Sequence, residues 1–238
     1  TTRHYERFIF DTAGIFHEAL WSTLRIGLIT TVISLLIGYP LAYAMSRAPR
    51  AWQPILLMAV ILPFWTSYLI RIYAWKAILQ KNGFLNNVLV ELQIIAEPLT
   101  LLSTPFAVYL GIIYTYLPFM VLPVYSSLEK IDPSFNEAAR DLGAGGFTTF
   151  WRVTVPLSLP GVLAGSLIVF VLCLGFFVTP AVLGGGKVVM VSMQIANNIE
   201  LFFNWGAASA LGVVLLAATF VVLFAASKIV RFDQIIGG

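Results

Sequence analysis

The stretch SLIVFVLCLGFFV, residues 166–178, is almost entirely apolar, with no alternation of apolar and polar positions. A strand of a transmembrane β-barrel would alternate such positions over about ten residues. A run that is apolar on every side is typical of a helix buried among other helices or in a membrane. The stretch therefore favours an all-α membrane protein over a β-barrel.

The composition of the whole chain predicts the same class of protein. Of the 238 residues, 59% are hydrophobic and 11% are charged, whereas soluble domains carry about 25% charged residues. So few polar side chains could not cover a globule in water, and lipid is the expected solvent. The net charge of +3 is spread over several loops, without the basic block that nucleic-acid binding requires. We therefore expect contact with membrane lipid and no nucleic acid partner.

Five apolar runs are long enough to cross a bilayer, which requires about 20 residues in a helix. They cover residues 20–45, 54–79, 105–128, 157–183 and 207–230. Prolines and glycines inside them are tolerated, because neighbouring helices can satisfy the freed backbone groups. The sequence thus predicts an all-α integral membrane protein with five visible spans.

Lysine and arginine predict which side of the membrane each loop faces, because positive charges concentrate in cytoplasmic loops. Seven lie on one side, namely Arg47, Arg50, Lys130, Arg140, Arg152, Lys228 and Arg231. Three lie towards the other side, namely Lys76, Lys81 and Lys187. We therefore expect residues 129–156 and the C-terminus in the cytoplasm. The chain starts at Thr1 without methionine, and we expect a sixth span before it.

The polar stretch NEAARDLGAGGFTTFWRVTVP, residues 136–156, begins in a predicted short cytoplasmic helix. Its start is indicated by Asp132-Pro133 and by the capping-box spacing from Ser134 to Glu137. Apolar residues recur at helical spacing and are expected to pack on neighbouring helices. They are Phe135, Ala138, Ala139 and Leu142.

Glycines separate this helix from a second one. Gly143 is expected to end the first helix, because glycine readily takes the left-handed conformation found at helix ends. Phe147, Phe150 and Trp151 form one face of the second helix, which we expect Pro156 to break. The pattern favours a helix-turn-helix projection into the cytoplasm, and a solvated helical loop is the alternative.

The stretch resembles the "EAA" signature of the permease subunits of bacterial type I ABC importers. The matching residues are Glu137, Ala138, Ala139, Gly143, Val153, Val155 and Pro156, with valine where that family more often has isoleucine and leucine. Three further segments are similar to the spermidine/putrescine branch of those permeases: LPFWTSYLIRIYAW (62–75), YLPFMVLPVYSSLEKID (116–132) and FFVTPAVLGG (176–185). The resemblance covers essentially the whole chain and implies one transmembrane domain, residues 1–238, with six spans per subunit.

In that family, two short coupling helices seat in a groove of the cytoplasmic ATPase, and residues 133–156 correspond to them. The resemblance implies this role for Glu137, Ala138, Ala139, Arg140, Asp141, Gly143, Ala144, Val155 and Pro156. It also implies a second, paralogous permease subunit, two ATPase subunits that hold ATP and magnesium, and a periplasmic binding protein. The binding protein is expected to contact the outer loops 1–18, 80–104 and 184–206. The implied location is the bacterial inner membrane.

The chain itself is expected to bind no cofactor or metal and to be no enzyme. The segment GGGKV, residues 184–188, lacks the first glycine and the final Ser or Thr of a phosphate-binding loop. Cys173, His4 and His17 supply neither a disulfide nor a metal site nor a catalytic triad.

Two other classes of membrane protein fit the sequence less well. An ion-coupled secondary transporter would use buried acidic or histidine relays, or repeated halves with broken helices. Neither pattern is visible in the sequence. A structural subunit of a membrane complex would need no cytoplasmic helix pair.

Aromatic residues in the spans are candidates for lining a path for an amine, whose charge an aromatic face attracts. They are Trp65, Tyr68, Tyr114, Tyr116, Phe176 and Phe177, and packing within the bundle is their alternative role. Arg71 either lines the path or extends outward to the membrane surface. The resemblance implies a polyamine substrate, but related permeases also take opines, amino-acid derivatives and other small polar solutes.

Overall fold

The computed structural model describes residues 14–229 of the chain. Within this range every regular element is a helix and no β-strand occurs, so the all-α prediction is confirmed. Four helices are long and apolar enough to cross a membrane, and a bent helix pair supplies a fifth crossing if it counts as one span. The expected span before Thr1 lies outside the described residues, as does most of the outer loop 1–18.

Three of the five predicted spans, 20–45, 105–128 and 207–230, correspond to single helices with similar limits. In chain order the helices are α1 (Ile15–Arg47), α2 (Gln53–Ile61), α3 (Tyr68–Leu79), α4 (Phe84–Glu91), α5 (Pro105–Glu129), α6 (Pro133–Asp141), α7 (Gly146–Thr149), α8 (Val155–Leu174), α9 (Val178–Leu183), α10 (Val191–Glu200) and α11 (Trp205–Ile229). A 3-10 turn, Leu62–Trp65, follows α2. A π-helical turn, Phe150–Thr154, joins α7 to α8.

The predicted span 54–79 is not one continuous helix. After α2 the backbone tightens into the 3-10 turn and becomes extended at Ser67, where ψ is 131°. The two halves, Gln53–Trp65 and Tyr68–Glu91, are bent by 89°. Pro63 accounts for the break, because proline removes a backbone donor and its ring crowds the preceding turn. The predicted span therefore corresponds to a bent pair of helices.

The predicted span 157–183 ends early, at Leu174, and the chain resumes helical geometry only in α9. In the break, the Phe176 N–H donates to the Cys173 carbonyl at 3.2 Å. The Ser192 hydroxyl donates to the Phe176 carbonyl at 2.7 Å. A side chain from a distant segment therefore satisfies a backbone group that the break has freed, as a membrane interior requires.

Pro156, in contrast, does not break its helix, and that prediction was wrong. A continuous helix runs over Gly146–Leu174. The Val155 N–H donates to the Phe150 carbonyl, which is the wider hydrogen-bond spacing of a π turn. We attribute the tolerance of Pro156 to this wider turn, which relieves the clash of a proline ring with the preceding carbonyls.

The described residues belong to two compact units, each assembled from separate segments. Among the described residues, the first unit is drawn from 14–30, Phe64–Thr115 and Phe170–Val222. Two apolar clusters of fully buried residues lie within it. One consists of Ile72, Leu79, Ala107 and Leu183, and the other of Ala19, Val191 and Leu211. These clusters pack α3, α5 and α9 together, and α1, α10 and α11 together.

Among the described residues, the second unit is drawn from Thr31–Pro63, Tyr116–Val169 and 223–229. Its core contains fully buried side chains of α5, among them Met120, Val121 and Val124. Hydrogen bonds between side chains supplement this packing. The hydroxyls of Tyr39 and Ser158 lie 2.9 Å apart, and the Tyr125 hydroxyl donates to Gln53 Oε1 at 3.4 Å. They connect α1 to α8 and α5 to α2.

Candidate functional site

The first candidate site is the segment 133–156, and its helix α6 starts as the sequence predicts. The Asp132 carboxylate accepts a 2.8 Å hydrogen bond from the Ser134 N–H, and Pro133 is the first helical residue. This hydrogen bond lowers the pKa of Asp132, because it stabilises the charged carboxylate. Asp132, and not Ser134, is therefore the cap, so the capping-box signal was misplaced.

α6 also ends as predicted, in a left-handed turn at Gly143. The φ angle of Gly143 is +83°. Its N–H donates to the Arg140 carbonyl at 2.8 Å, and the Ala144 N–H donates to the Ala139 carbonyl at 3.0 Å. This pair of hydrogen bonds is the Schellman motif that closes many helices. The local sequence thus defines both ends of α6.

The orientation of α6 differs from the prediction. Leu142 is 89% exposed and Ala138 is exposed as well, although both were expected to pack on neighbouring helices. The side facing the rest of the unit carries Asn136 and Ala139, which are half-buried. Asn136 Oδ1 accepts a 3.5 Å hydrogen bond from the Thr154 hydroxyl. A polar contact, and not the apolar face, therefore anchors α6 to its own chain.

The residues after α6 add further exposed apolar side chains. Phe147 is 79% exposed and Trp151 is also largely exposed. Phe150, in contrast, makes edge-on ring contacts with Tyr39 and Tyr43, with centroid distances of 6.0 and 5.2 Å. We call the exposed apolar side chains of this segment the apolar set: Phe135, Ala138, Leu142, Phe147 and Trp151. Glu137, Arg140, Asp141, Gly143 and Pro156 are exposed too, whereas Ala144 and Val155 are half-buried.

The second candidate site lies in the first unit and brings three predicted residues together. The Tyr68 and Thr179 hydroxyls are 2.6 Å apart, and the Tyr68 and Phe176 rings meet edge-on at 5.8 Å. The Arg71 guanidinium lies 5.3 Å from the Phe64 ring centroid and 5.8 Å from that of Tyr68. We call these five residues the Tyr68 cluster.

The Arg71 guanidinium lies within this cluster, against two aromatic rings. Its Nε and Nη1 atoms are buried, and neither has a hydrogen-bond partner among the described residues. The guanidinium also lies near the rings of Phe64 and Tyr68, at distances typical of cation-π contacts. Buried donors without partners are rare in proteins, so Arg71 is an unusual feature of this unit.

The other predicted path residues lie outside this cluster. Tyr114 packs edge-on against Trp75 at 5.5 Å, and Tyr116 belongs to the second unit. Trp65 is 78% exposed, and Phe177 is partly exposed. The sequence reasoning missed Thr179, although the Thr-Pro pair in FFVTPAVLGG marked a place where helical structure is interrupted.

A metal site is not formed by these elements. Within residues 14–229, no three His, Cys, Asp or Glu side chains are grouped so that they could hold a metal ion. The chemical resources of the two candidate sites are therefore apolar contact, cation-π contact and hydrogen bonding.

Comparison with known proteins identifies the family. The sequence model of the "Binding-protein-dependent transport system inner membrane component" family matches residues 31–232. The chain belongs to this family. It is thus an inner-membrane permease, as predicted. The matched region includes the segment 133–156 with Leu142.

Curated relatives of the permease are similar over most of its length. The spermidine/putrescine transport system permease protein PotB of Haemophilus influenzae is 42% identical over 220 residues, which are 91% of this chain and 77% of the relative. PotB of Escherichia coli is 42% identical over 189 residues, 79% of this chain and 67% of the relative. The inner membrane ABC transporter permease protein YdcU of Escherichia coli is 34% identical over 192 residues, 75% of this chain and 60% of the relative.

Solved structures confirm the fold of the permease. A chain of the bacterial alginate ABC transporter, in complex with its alginate-bound periplasmic protein, superimposes with a TM-score of 0.76 at 17% identity, over 99% of this chain and 85% of that one. A chain of the MetNI methionine ABC transporter in an inward-facing conformation has a TM-score of 0.67 at 18% identity, over 93% and 97% of the two chains. The fold is that of an ABC importer transmembrane domain, as predicted.

Proposed function

We propose that the permease imports a polyamine such as spermidine or putrescine from the periplasm to the cytoplasm by alternating access, driven by ATP. The observation that carries this proposal is the 42% identity to the Haemophilus influenzae spermidine/putrescine permease over 91% of the chain. The whole chain, residues 1–238, acts as one transmembrane domain. It pairs with a second permease subunit, and a periplasmic binding protein delivers the substrate to the outer loops.

ATP hydrolysis takes place on two partner ATPase subunits, which hold ATP and magnesium. The permease contributes no nucleotide site, because GGGKV at 184–188 is not a phosphate-binding loop. Residues 133–156 couple the two kinds of subunit, and the apolar set fills the groove of the ATPase. This role is supported by the exposure of Leu142 and Phe147, since large exposed apolar side chains that cluster in one segment mark interaction sites.

The Tyr68 cluster forms part of the translocation path. The aromatic ring of Phe176 attracts an ammonium group, and the hydroxyls of Tyr68 and Thr179 offer oxygen acceptors. Trp65 is the most exposed of the predicted path aromatics and contacts the amine at an earlier or later stage of transport.

Arg71 favours a second candidate substrate. Its Nε and Nη1 atoms are buried without a partner among the described residues, and a carboxylate would balance the guanidinium charge and accept a charge-assisted hydrogen bond from it. An opine or another amino-acid derivative carries such a carboxylate together with an amine.

Uptake by the reconstituted transporter with its binding protein distinguishes the two substrates. We expect labelled putrescine or spermidine to accumulate, and Tyr68→Ala or Trp65→Ala to reduce uptake more than assembly. Trp52→Ala is the matched control, because Trp52 is an exposed tryptophan outside the predicted path. Efficient competition by a carboxylate solute, without competition by either polyamine, would reject the polyamine and favour the second candidate.

A further inference from the structure

A cavity of about 590 Å³ opens in the second unit, on the inner side of the segment 133–156. The last turn of α1, the following loop, the end of α5 and the start of α6 surround it. Its polar lining includes Arg47, Arg50, Gln53, Glu129 and Asn136. Two arginines therefore face a single carboxylate, and the lining carries a positive charge. Arg47 and Arg50 belong to the loops expected in the cytoplasm, because positive charges concentrate there. The cavity is therefore expected at the cytoplasmic surface of the membrane.

The arginines of this cavity have no acidic partner among the residues that the structure describes. Arg47 lies over the Tyr43 ring, with its guanidinium carbon 5.3 Å from the ring centroid. Across residues 14–229, neither Arg47 nor Arg50 forms an ion pair. The carbonyls of Ser46 and Ala48 at the end of α1 accept hydrogen bonds from Gln53 Nε2, at 3.4 and 3.1 Å. Gln53 thus engages carbonyl acceptors that would otherwise be open to the arginines.

A smaller cavity of about 140 Å³ extends the positive region. It shares Tyr43, Arg47 and Asn136 with the larger cavity and adds Arg140. Arginine is suited to phosphate, because its planar guanidinium donates parallel hydrogen bonds to two oxygens. Basic pockets between membrane helices on the cytoplasmic side are known to hold phospholipid head groups.

We propose that this cavity binds a phosphate group through Arg47 and Arg50, with Arg140 at its edge. The phosphate comes from the head group of an anionic phospholipid or from a soluble phosphate compound. Asn136 lines the cavity while Leu142 of the same helix is exposed. A bound phosphate therefore contacts the inner side of α6 and leaves the apolar set free, so its occupancy would set how firmly α6 is held for coupling.

Binding is tested on the intact transporter in detergent by native mass spectrometry, with titration of phosphatidylglycerol. We expect Arg47→Gln with Arg50→Gln to weaken binding about tenfold or more, because hydrogen bonds to charged groups are worth more than neutral ones. Arg47→Lys with Arg50→Lys keeps the charge and should lose less. The matched control is Arg152→Gln with Lys228→Gln, which removes two cytoplasmic charges outside both cavities.

The source of the phosphate is identified by competition. Displacement of phosphatidylglycerol by millimolar inorganic phosphate indicates a soluble phosphate ligand, and no displacement indicates a lipid head group. Unchanged binding in the double glutamine variant, or an equal loss in the control pair, rejects the proposal. If the double glutamine variant misfolds, the double lysine variant takes its place, provided that its membrane level and its elution from a gel-filtration column match those of the wild type. The readout requires no transport, so it is independent of the proposed substrate.

Discussion

The segment 133–156 and the Tyr68 cluster are held in place in different ways. The ends of α6 depend on neighbours in sequence, with Asp132 at its start and Gly143 at its end. The Tyr68 cluster depends on contacts between residues 111 positions apart, such as Tyr68 and Thr179. A change in the first region should therefore affect partner binding more than stability, whereas a change in the second should lower thermal stability as well as uptake.

The largest effect is expected for Leu142→Asp. An aspartate in an apolar groove would be desolvated without a partner, which is strongly unfavourable, so ATPase copurification should fall at least about tenfold. The membrane level of the permease should stay near that of the wild type. Leu92→Asp is the control, because Leu92 is also highly exposed but lies in the first unit. Equal copurification in both variants would contradict a docking role for the apolar set.

Gly111→Ala should destabilise the first unit directly. A Cβ atom at Gly111 would lie 2.7 Å from Thr179 Cγ2 and 2.8 Å from Leu183 Cδ1, and overpacking of this kind costs about 1–3 kcal/mol. Thermal unfolding in detergent measures the loss. Gly212→Ala serves as control, since its Cβ would meet nothing within 4 Å and should be neutral or stabilising. If the two variants unfold alike, the close approach at Gly111 is not a constraint.

Gly143→Ala tests whether the turn after α6 requires glycine. The left-handed region is about 1–2 kcal/mol less favourable for a residue with a Cβ. The substitution should therefore displace the turn after α6, and ligand-stimulated ATP hydrolysis in proteoliposomes should fall severalfold. Gly145 offers a matched site, because its φ is −68° and a Cβ there also meets open space. Gly145→Ala should therefore retain hydrolysis, and a similar loss in both would point away from the turn.

Tyr68→Phe should have a moderate effect, on stability more than on coupling. It leaves the buried Thr179 hydroxyl without its 2.6 Å partner, which costs about 1 kcal/mol. Tyr73→Phe removes the same hydroxyl from an exposed tyrosine of the same helix and should leave the unfolding temperature unchanged. A fall in ATPase association without loss of stability would contradict the contrast between the two regions.

Asp132→Ala should have the smallest effect on stability, because the residue is exposed and caps only α6. The folded-state pKa of Asp132 lies below its ordinary value, so the cap contributes fully above that ordinary value and is lost as pH falls through the lowered pKa. Substitution by asparagine, which also caps helices, should remove the pH dependence and keep the cap. The measurement is ligand-stimulated ATP hydrolysis as a function of pH, compared among the wild type, Asp132→Ala and Asp132→Asn.

The two prolines illustrate why part of the fold was not predictable. Pro63 lies in a tight 3-10 turn and accompanies an 89° bend, whereas Pro156 follows a π turn and its helix continues. Both prolines remove one backbone donor, so the local pattern alone does not distinguish them. The conformation of the preceding turn differs, and that conformation depends on packing such as Phe150 against Tyr39 and Tyr43.

The sequence by itself determined the all-α membrane class, the approximate spans and the two ends of α6. The class and the spans depend on the preference of apolar side chains for lipid over water. The ends of α6 depend on hydrogen bonds between residues a few positions apart, which form without contacts from distant segments. Only the tertiary structure decided that α6 turns Asn136 inward and Leu142 outward, and that Tyr68 meets Thr179. Helical periodicity groups side chains into faces, but it does not say which face finds a partner. That choice depends on free energies of contact between segments far apart in sequence.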